Sequence, residues 1–314
     1  WMFLSSFEKL RTKLLQKDTI NMAHLGARAF DEIGGEVVQT TSFVLRNSHI
    51  TDYKGIYCRL IEPTTQRGKE NMFLARENRY TAHQCNFSKI PGCPVAYWVS
   101  DSAYQCFVKG LLLKYADTKQ GFKTGENDKF LRLWFECSMV NASFAGDRTK
   151  KWFPCTKGGE FRRWYGNFEY VVNWDDDGYE IKHFFDERGK LRSRPQNLQI
   201  NFTKQITWSS ISSGNISFRQ AEDYFMYESK GPVLTPHIEF PIMLAYKIYQ
   251  FFIGIVAPTL DYSEGSVLRV PYIDISDEEK SSEILEMAND CVDISKRDWD
   301  SFETSWDFKR HPLV

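Results

Sequence analysis

The sequence predicts an α/β protein in two parts: the trailing portion of a doubly wound sheet, then a strand-rich α+β unit. Three observations carry this. Residues 2–62 alternate helical and strand periodicity in the order helix, strand, loop, strand, strand. Residues 63–96 turn polar, with prolines at both ends. From residue 97 the chain becomes rich in aromatic and β-branched residues, part of a total of 24 Phe and 9 Trp.

Element by element, Phe3, Leu4, Phe7, Leu10, Leu14 and Leu15 recur at helical spacing within "MFLSSFEKLRTKLLQK". "TINMAHLG" reads as a strand whose His24 is expected in the core. "ARAFDEIGGE" is a loop turning at Gly34-Gly35, where positive φ costs least. "VVQTTSFVLRN" and "KGIYCRLIE" are strands. The 63–96 stretch reads as a connector carrying one helix. A helix over about Ser102–Leu113 opens the second unit, and strands dominate to about Ser217. "PIMLAYKIYQFFIGIV" (241–256) is interrupted by Lys247 and Gln250 and is short for a membrane span, so it reads as a buried helix. The acidic end is helical in its middle.

Bulk properties exclude several classes. A net charge of −1 leaves no global basic field, so any nucleic-acid surface must be local. The 7 Cys are scattered without a CxxC pair, which suggests neither a zinc knuckle nor a redox motif and suits a reducing cytoplasm. Four Asn-x-Ser/Thr triplets, at Asn86, Asn141, Asn201 and Asn215, carry no signal without a secretory context. "NWDDDGYEI" begins like a calcium loop, but its closing position holds Phe184 instead of Glu, so it reads as a turn. No metal and no membrane are expected.

The local concentration of cations and flat rings lies in "KWFPCTKGGEFRRWYGNFEYVVNW". Asp147–Gly166 holds six Lys/Arg against two acids. Lys151, Lys157, Arg162 and Arg163 can meet phosphates, Gly158 and Gly159 offer amides on a turn, and Trp164 and Tyr165 can stack or anchor. In an alternating strand, Arg162 and Trp164 share one face and Arg163 and Tyr165 the other; Trp164 inward and Arg163 outward is the expectation. "KQGFKTGENDKF" places Lys119, Lys123, Thr124 and Asn127 around two glycines, either as a second contact or as a structural loop. "ERGKLRSRPQNLQ" (187–199) is basic and has the composition of a flexible loop. An aromatic-rich sugar-binding module is the rival in another class; it would bind with little salt dependence, and the interleaved arginines and scattered thiols argue against it.

Six blocks in fixed order, "IPGCPVAYWVSD", "KQGFKTGENDKFLRLWFE", "KWFPCTKGGEFRRWYGNFEYVVNW", "ITWSSISSG", "APTLDYSEGSVLRVPYI" and "DWDSFETSWDF", together with "MAHLGARAFDEIGGEVVQTTSFVLRN", resemble the PglX family. These are adenine-specific DNA methyltransferases of bacteriophage-exclusion (BREX) systems, related to Eco57I-type, gamma-class amino methyltransferases. The resemblance implies that residues 1–62 complete a Rossmann-like, S-adenosylmethionine-dependent methyltransferase sheet, that 63–96 connect, and that 97–314 form a target recognition domain. It implies double-stranded DNA as partner, other BREX proteins as further partners, and a cytoplasmic location. It also implies that Phe30 stacks on the flipped adenine. The family's Gly-rich cofactor loop and Asn-Pro-Pro-Tyr tetrapeptide are not found, so S-adenosylmethionine binding and catalysis are expected elsewhere in a parent enzyme, and this stretch is expected to be inactive alone. A specificity module that binds DNA and modifies nothing is the alternative.

Overall fold

The computed structural model describes residues 1–32, 39–212, 214–237, 247–258 and 261–314. The expected turn at Gly34-Gly35 lies outside them. The chain divides into two compact units, Trp1–Gly110 and Leu111–Val314.

In the first unit a 3-10 turn (Ser5–Phe7) leads into α1 (Glu8–Leu14), shorter than the periodic stretch. The buried Arg11 ties this end down. Its guanidinium donates to the carbonyls of Trp1, Leu4 and Gly92 at 2.5–3.0 Å. Strands β1 (Asp18–Gly26), β2 (Thr40–Arg46), β3 (Lys54–Arg59) and β4 (Arg79–His83) form a sheet in the order β2-β1-β3-β4. β1 and β3 run parallel, while β2 and β4 are antiparallel to their neighbours. β2 itself carries the chain back antiparallel to β1, so β3 can join the opposite edge of β1 in the parallel sense after a short connection.

Between β3 and β4 lies α2 (Gln66–Leu74), started by Thr65, whose hydroxyl accepts from the Gly68 amide at 3.1 Å. Lys69 of α2 is buried and donates to the carbonyls of Leu25 and Leu60, both at 2.8 Å. The 63–96 stretch is thus more than a connector with one helix: it contributes the edge strand β4. α3 (Asp101–Lys109), capped by Ser100 and ended by Gly110, closes the first unit by contact, not the second as expected. Behind the sheet, Tyr57 stacks on Tyr97 with ring centroids 4.9 Å apart, and both are buried. The other face is barer. Val44 and Ile56 flank Asn21 in one cross-strand row and are each about half exposed (52% and 49%).

Among its described residues the second unit holds two sheets. β5 (Ala116–Lys119), β9 (Gln205–Trp208), β10 (Phe218–Ala221) and β12 (Val233–Pro236) pair antiparallel in the order β10-β9-β12-β5. β6 (Leu131–Leu133), β7 (Trp152–Thr156), β8 (Tyr170–Asn173) and β11 (Met226–Tyr227) lie in the order β11-β7-β8-β6. Phe122, Phe130, Phe153, Val172, Trp174, Ile181 and Met226 make one core cluster. Burial of such rings contributes about 1.5–3 kcal/mol each.

Among the described residues the longest of the remaining helices is the last. α4 (Asn127–Phe130) follows the Gly125 turn. α5 (Asp175–Lys182) opens with Asp176, Asp177 and Gly178 in left-handed backbone, a turn as expected, before one helical stretch. α6 (Lys247–Val256) buries Tyr249, Phe252, Ile253 and Ile255, in line with the buried helix read from the sequence for the part described. α7 (Glu264–Leu268) precedes α8 (Glu278–Trp299). α8 begins at Asp277, whose carboxylate accepts from the Lys280 amide, with Glu278 and Glu279 in its first turn and Lys296 and Arg297 in its last. That placement of charge suits the helix dipole. Among the described residues no helix is long and apolar enough to cross a membrane.

Candidate nucleic-acid interface

The first cationic region forms where β7 ends. Lys157 folds its ammonium over the Tyr170 ring, 4.6 Å from the centroid. Gly158 and Gly159 both take positive φ, +84° and +119°. A Cβ on Gly159 would come within 2.8 Å of the Asn167 side chain, which itself donates to the Glu160 carbonyl at 2.8 Å. Only glycine lets the turn run this close.

Beneath it lies Arg219, 1% exposed. Its guanidinium donates to Ser217 Oγ, Ser209 Oγ and the Arg162 carbonyl, and Ser209 Oγ donates to the Gly159 carbonyl at 2.7 Å. Burial, then the nearby Arg162, lower the Arg219 pKa to about 10, so it stays charged at neutral pH. The buried cation braces the turn from below.

Arg162 and Arg163 are committed differently than the sequence suggests. Arg162 pairs with Asp298 at 3.0 Å and lies 5.0 Å over Trp299. Arg163 lies over Phe161 at 5.6 Å. Residues 160–168 are not an alternating strand. Trp164 has φ +75° and exchanges backbone hydrogen bonds with Phe218 and Gln220, which breaks the two-residue period. As a result Tyr165, not Trp164, is the ring buried in the core, edge-on to Phe168; Trp164 is half-buried. Lys151 stands at the start of this region, 3.7 Å from Asp175.

Of these residues Lys157, Gly158, Gly159 and Arg162 line a cleft of about 690 Å³, together with Glu160, Glu169, Trp299 and Phe302, whereas Lys151, Arg163, Trp164 and Tyr165 stand outside its lining. The sequence reading missed Trp299 and Phe302. They lie well over a hundred residues from Arg162 along the chain, at the last residue of α8 and in the turn just past it.

The second cationic region joins two segments read separately in the sequence. Lys123 and Arg194 exchange both backbone hydrogen bonds, at 2.8 and 2.9 Å. This places "KQGFKTGENDKF" against the 187–199 stretch. That stretch is no flexible loop: residues 184–192 form an ordered hairpin, closed by Phe185–Leu191 pairing and by the Arg192 amide donating to the Phe184 carbonyl at 2.8 Å. Thr124 is not available as a contact, because it is 2% exposed and its hydroxyl donates to Asn127 Oδ1. Asn127 and Lys123 are exposed, and Lys119 is half-buried at the end of β5.

In the first unit Phe30 lies in the loop after β1, 53% exposed. His24 is buried beside Tyr97, Nδ1 to Oη 3.1 Å, and burial followed by Arg59 lowers its pKa to about 4. It is a core histidine in this structure. Gly26, at the end of β1, is packed against Ile61, with a Cβ position 2.8 Å from that side chain. It leaves no open cradle for a cofactor. Among the described residues no group of three or more His, Cys, Asp or Glu gathers to hold a metal.

The fold defines two mixed α/β units, the second carrying two regions of surface cations, and sequence comparison gives the class: along its whole length the chain resembles adenine-specific methyltransferases of the PglX type. It is 38% identical over 333 aligned positions to the adenine-specific methyltransferase PglX of Lacticaseibacillus casei strain Zhang. It is 36% identical over 323 to the adenine-specific methyltransferase BrxX of Escherichia coli O9:H4 strain HS. Both matches take in all of this chain but only 27% and 26% of those proteins, so the chain spans about a quarter of their length. No protein-family model matches it. In fold, 99% of the chain is similar to 43% of the Type IIL restriction-modification enzyme MmeI, solved in complex with DNA, with a TM-score of 0.53 and 12% identity.

Proposed function

We propose that this chain is the DNA-recognition portion of an adenine-N6 DNA methyltransferase acting in a BREX-type phage-defence system. The observation that carries the reading is the identity of 38% and 36%, across the whole chain, with two adenine-specific methyltransferases. In this reading Leu111–Val314 grips and reads duplex DNA. Phe30, on the loop after β1, stacks on the extruded adenine. The surface cations hold phosphates and set register, while sequence is read at base edges.

S-adenosylmethionine supplies the methyl group in the parent enzyme. Gly26, which ends β1, is packed against Ile61, and no Gly-rich strand-to-helix turn of the kind that cradles such a cofactor is present among the described residues. No step of the transfer is therefore assigned to these residues. Other proteins of the defence system are its further partners in this reading.

The test is equilibrium binding of a labelled duplex by this chain across salt concentrations. Phosphate clamping predicts a log–log slope of roughly −0.9 per phosphate held, which for six contacts loses about a thousandfold between roughly 50 and 200 mM salt. Binding indifferent to salt would instead favour stacking on sugars, and a folded sample that ignores duplex DNA at low salt would sink the reading.

A further inference from the structure

The hairpin Phe184–Arg194 carries more than charge. Its turn is stiff: the Asp186 amide donates to the Lys190 carbonyl at 2.8 Å, and Asp186 Oδ1 accepts from the amides of Arg188 and Lys190 at 2.9 and 2.8 Å. Gly189 takes φ +74° with open space around it. The Asp186 carboxylate is thus consumed inside the turn. What the tip presents outward is Glu187, Arg188 and Lys190, all exposed.

The base of the hairpin is anchored as firmly. Ser193 donates its hydroxyl to the Ile181 carbonyl, and Arg194 pairs with Lys123. Lys129 and Arg192 sit on the Phe184 ring, each 4.7 Å from its centroid, and Arg192 also meets Glu126 at 3.2 Å. Lys123, Arg188, Lys190 and Arg194, by contrast, form no salt bridge and cover no ring among the described residues. Their charge is uncommitted, unlike that of Lys151, Lys157, Arg162 and Arg163 in the first region. One flank of the hairpin is a row of exposed rings. Tyr179 stacks on His183 at 4.1 Å, with Phe185 beyond, and Tyr179 and Phe185 are 56% and 51% exposed.

We propose that this hairpin is a reading finger that enters the major groove of duplex DNA, with Glu187 and Arg188 at base edges and Lys123, Lys190 and Arg194 on the flanking phosphates. The proposal rests on the DNA-recognition reading above and adds which element reads. The groove is about 12 Å wide and admits a two-stranded β-ribbon, and this hairpin, a tight turn closed by the Phe185–Leu191 bridge, is no wider. An acid at the tip would repel phosphates, but a carboxylate accepts from the cytosine amino group, and arginine donates twice to guanine, so an adjacent Glu-Arg pair suits base edges. The rigid turn means little ordering entropy is lost on docking.

The experiment selects binders from a random-sequence duplex library with the intact chain and repeats the selection with Arg188→Ala, Glu187→Gln and Lys123→Ala/Arg194→Ala. All four positions are exposed, and unchanged melting midpoints will confirm folding. Arg188→Ala and Glu187→Gln are expected to blur the enriched sequence at one or two adjacent positions. Arg188→Ala should weaken the enriched duplex roughly 5- to 100-fold, leaving a scrambled duplex unaffected. The double variant should weaken all duplexes and reduce the salt slope by roughly 2. If the tip variants enrich the same sequence at the same affinity, the finger is overturned while the DNA-recognition reading stands. If the unaltered folded chain binds and enriches no duplex, both fall together.

Discussion

His24 shows how much a single buried group can impose. Its ring packs against Phe3 and Tyr97, with Arg59 and Lys69 nearby on the cationic side and Glu62 on the acidic side. Burial lowers its pKa from 6.5 to about 4, so the folded first unit holds the neutral imidazole. The unfolded chain takes up a proton near pH 6.5 while the folded chain does not. Stability from this group is therefore complete above pH 6.5 and falls as the pH drops toward 4, by up to about 3 kcal/mol. Melting curves of the chain between pH 7.5 and 4, compared with His24→Gln, check this as an expected narrowing of the pH dependence by roughly that amount. Gly159 gives a second residue-level test. With φ +119° and Asn167 in the way, Gly159→Ala should cost about 1–3 kcal/mol, read as a lowered denaturation midpoint. Asn167→Ala removes the Nδ2 and Cγ contacts but keeps the Asn167 Cβ 3.1 Å away and leaves the backbone strain, so the double variant should recover only part of the loss.

At the scale of elements, the exposed face and open edge of the first sheet set its weak side. β1 is paired on both edges, by β2 and β3, but the outer edge of β2 meets no strand among the described residues. Hydrogen exchange should be slow along β1 and β3 and faster in β2, because every second β2 amide lacks a ladder partner. Uniform protection across the three strands would show that the β2 edge is covered. The strands themselves were legible in the sequence, since β-branched alternation in "TTSFVLR" and "KGIYCR" needs no tertiary help. β4 was not. "RYTAH" is short, polar and embedded in a helix-bearing stretch, and it becomes a strand only because β3 offers it an edge. The 184–194 hairpin was legible in principle: Asp186-Glu187-Arg188-Gly189 is a turn signal between apolar residues, but its density of charge reads first as a solvated loop. In the cleft, the cations could be read from sequence and their commitments could not. Trp164 carries a left-handed backbone that no bulky residue advertises, and the partner of Arg162 is Asp298, at the far end of α8.

For the molecule as a whole, the division at Gly110 separates two jobs in the proposed function. Phe30 lies in Trp1–Gly110, whereas every cation of both candidate surfaces lies in Leu111–Val314. The second unit has its own aromatic core and two sheets, and its last helix returns to the cleft through Asp298 and Trp299. About 200 residues are enough to bury a core of that kind without help. If duplex affinity resides there, residues 111–314 expressed alone should fold and bind duplex DNA with the salt slope of the full chain. Phe30→Ala in the full chain should leave that binding unchanged and act only where an adenine is extruded. There, loss of one base–aromatic stack should weaken retention of the flipped base by about 1–3 kcal/mol, with Phe30→Tyr restoring it. Fluorescence of a 2-aminopurine placed at the target position in the parent enzyme reads that step. A fragment that folds but loses the salt slope would move the phosphate contacts into the first unit, and a Phe30→Ala variant that weakens every duplex alike would make the ring a general contact and not a base stack.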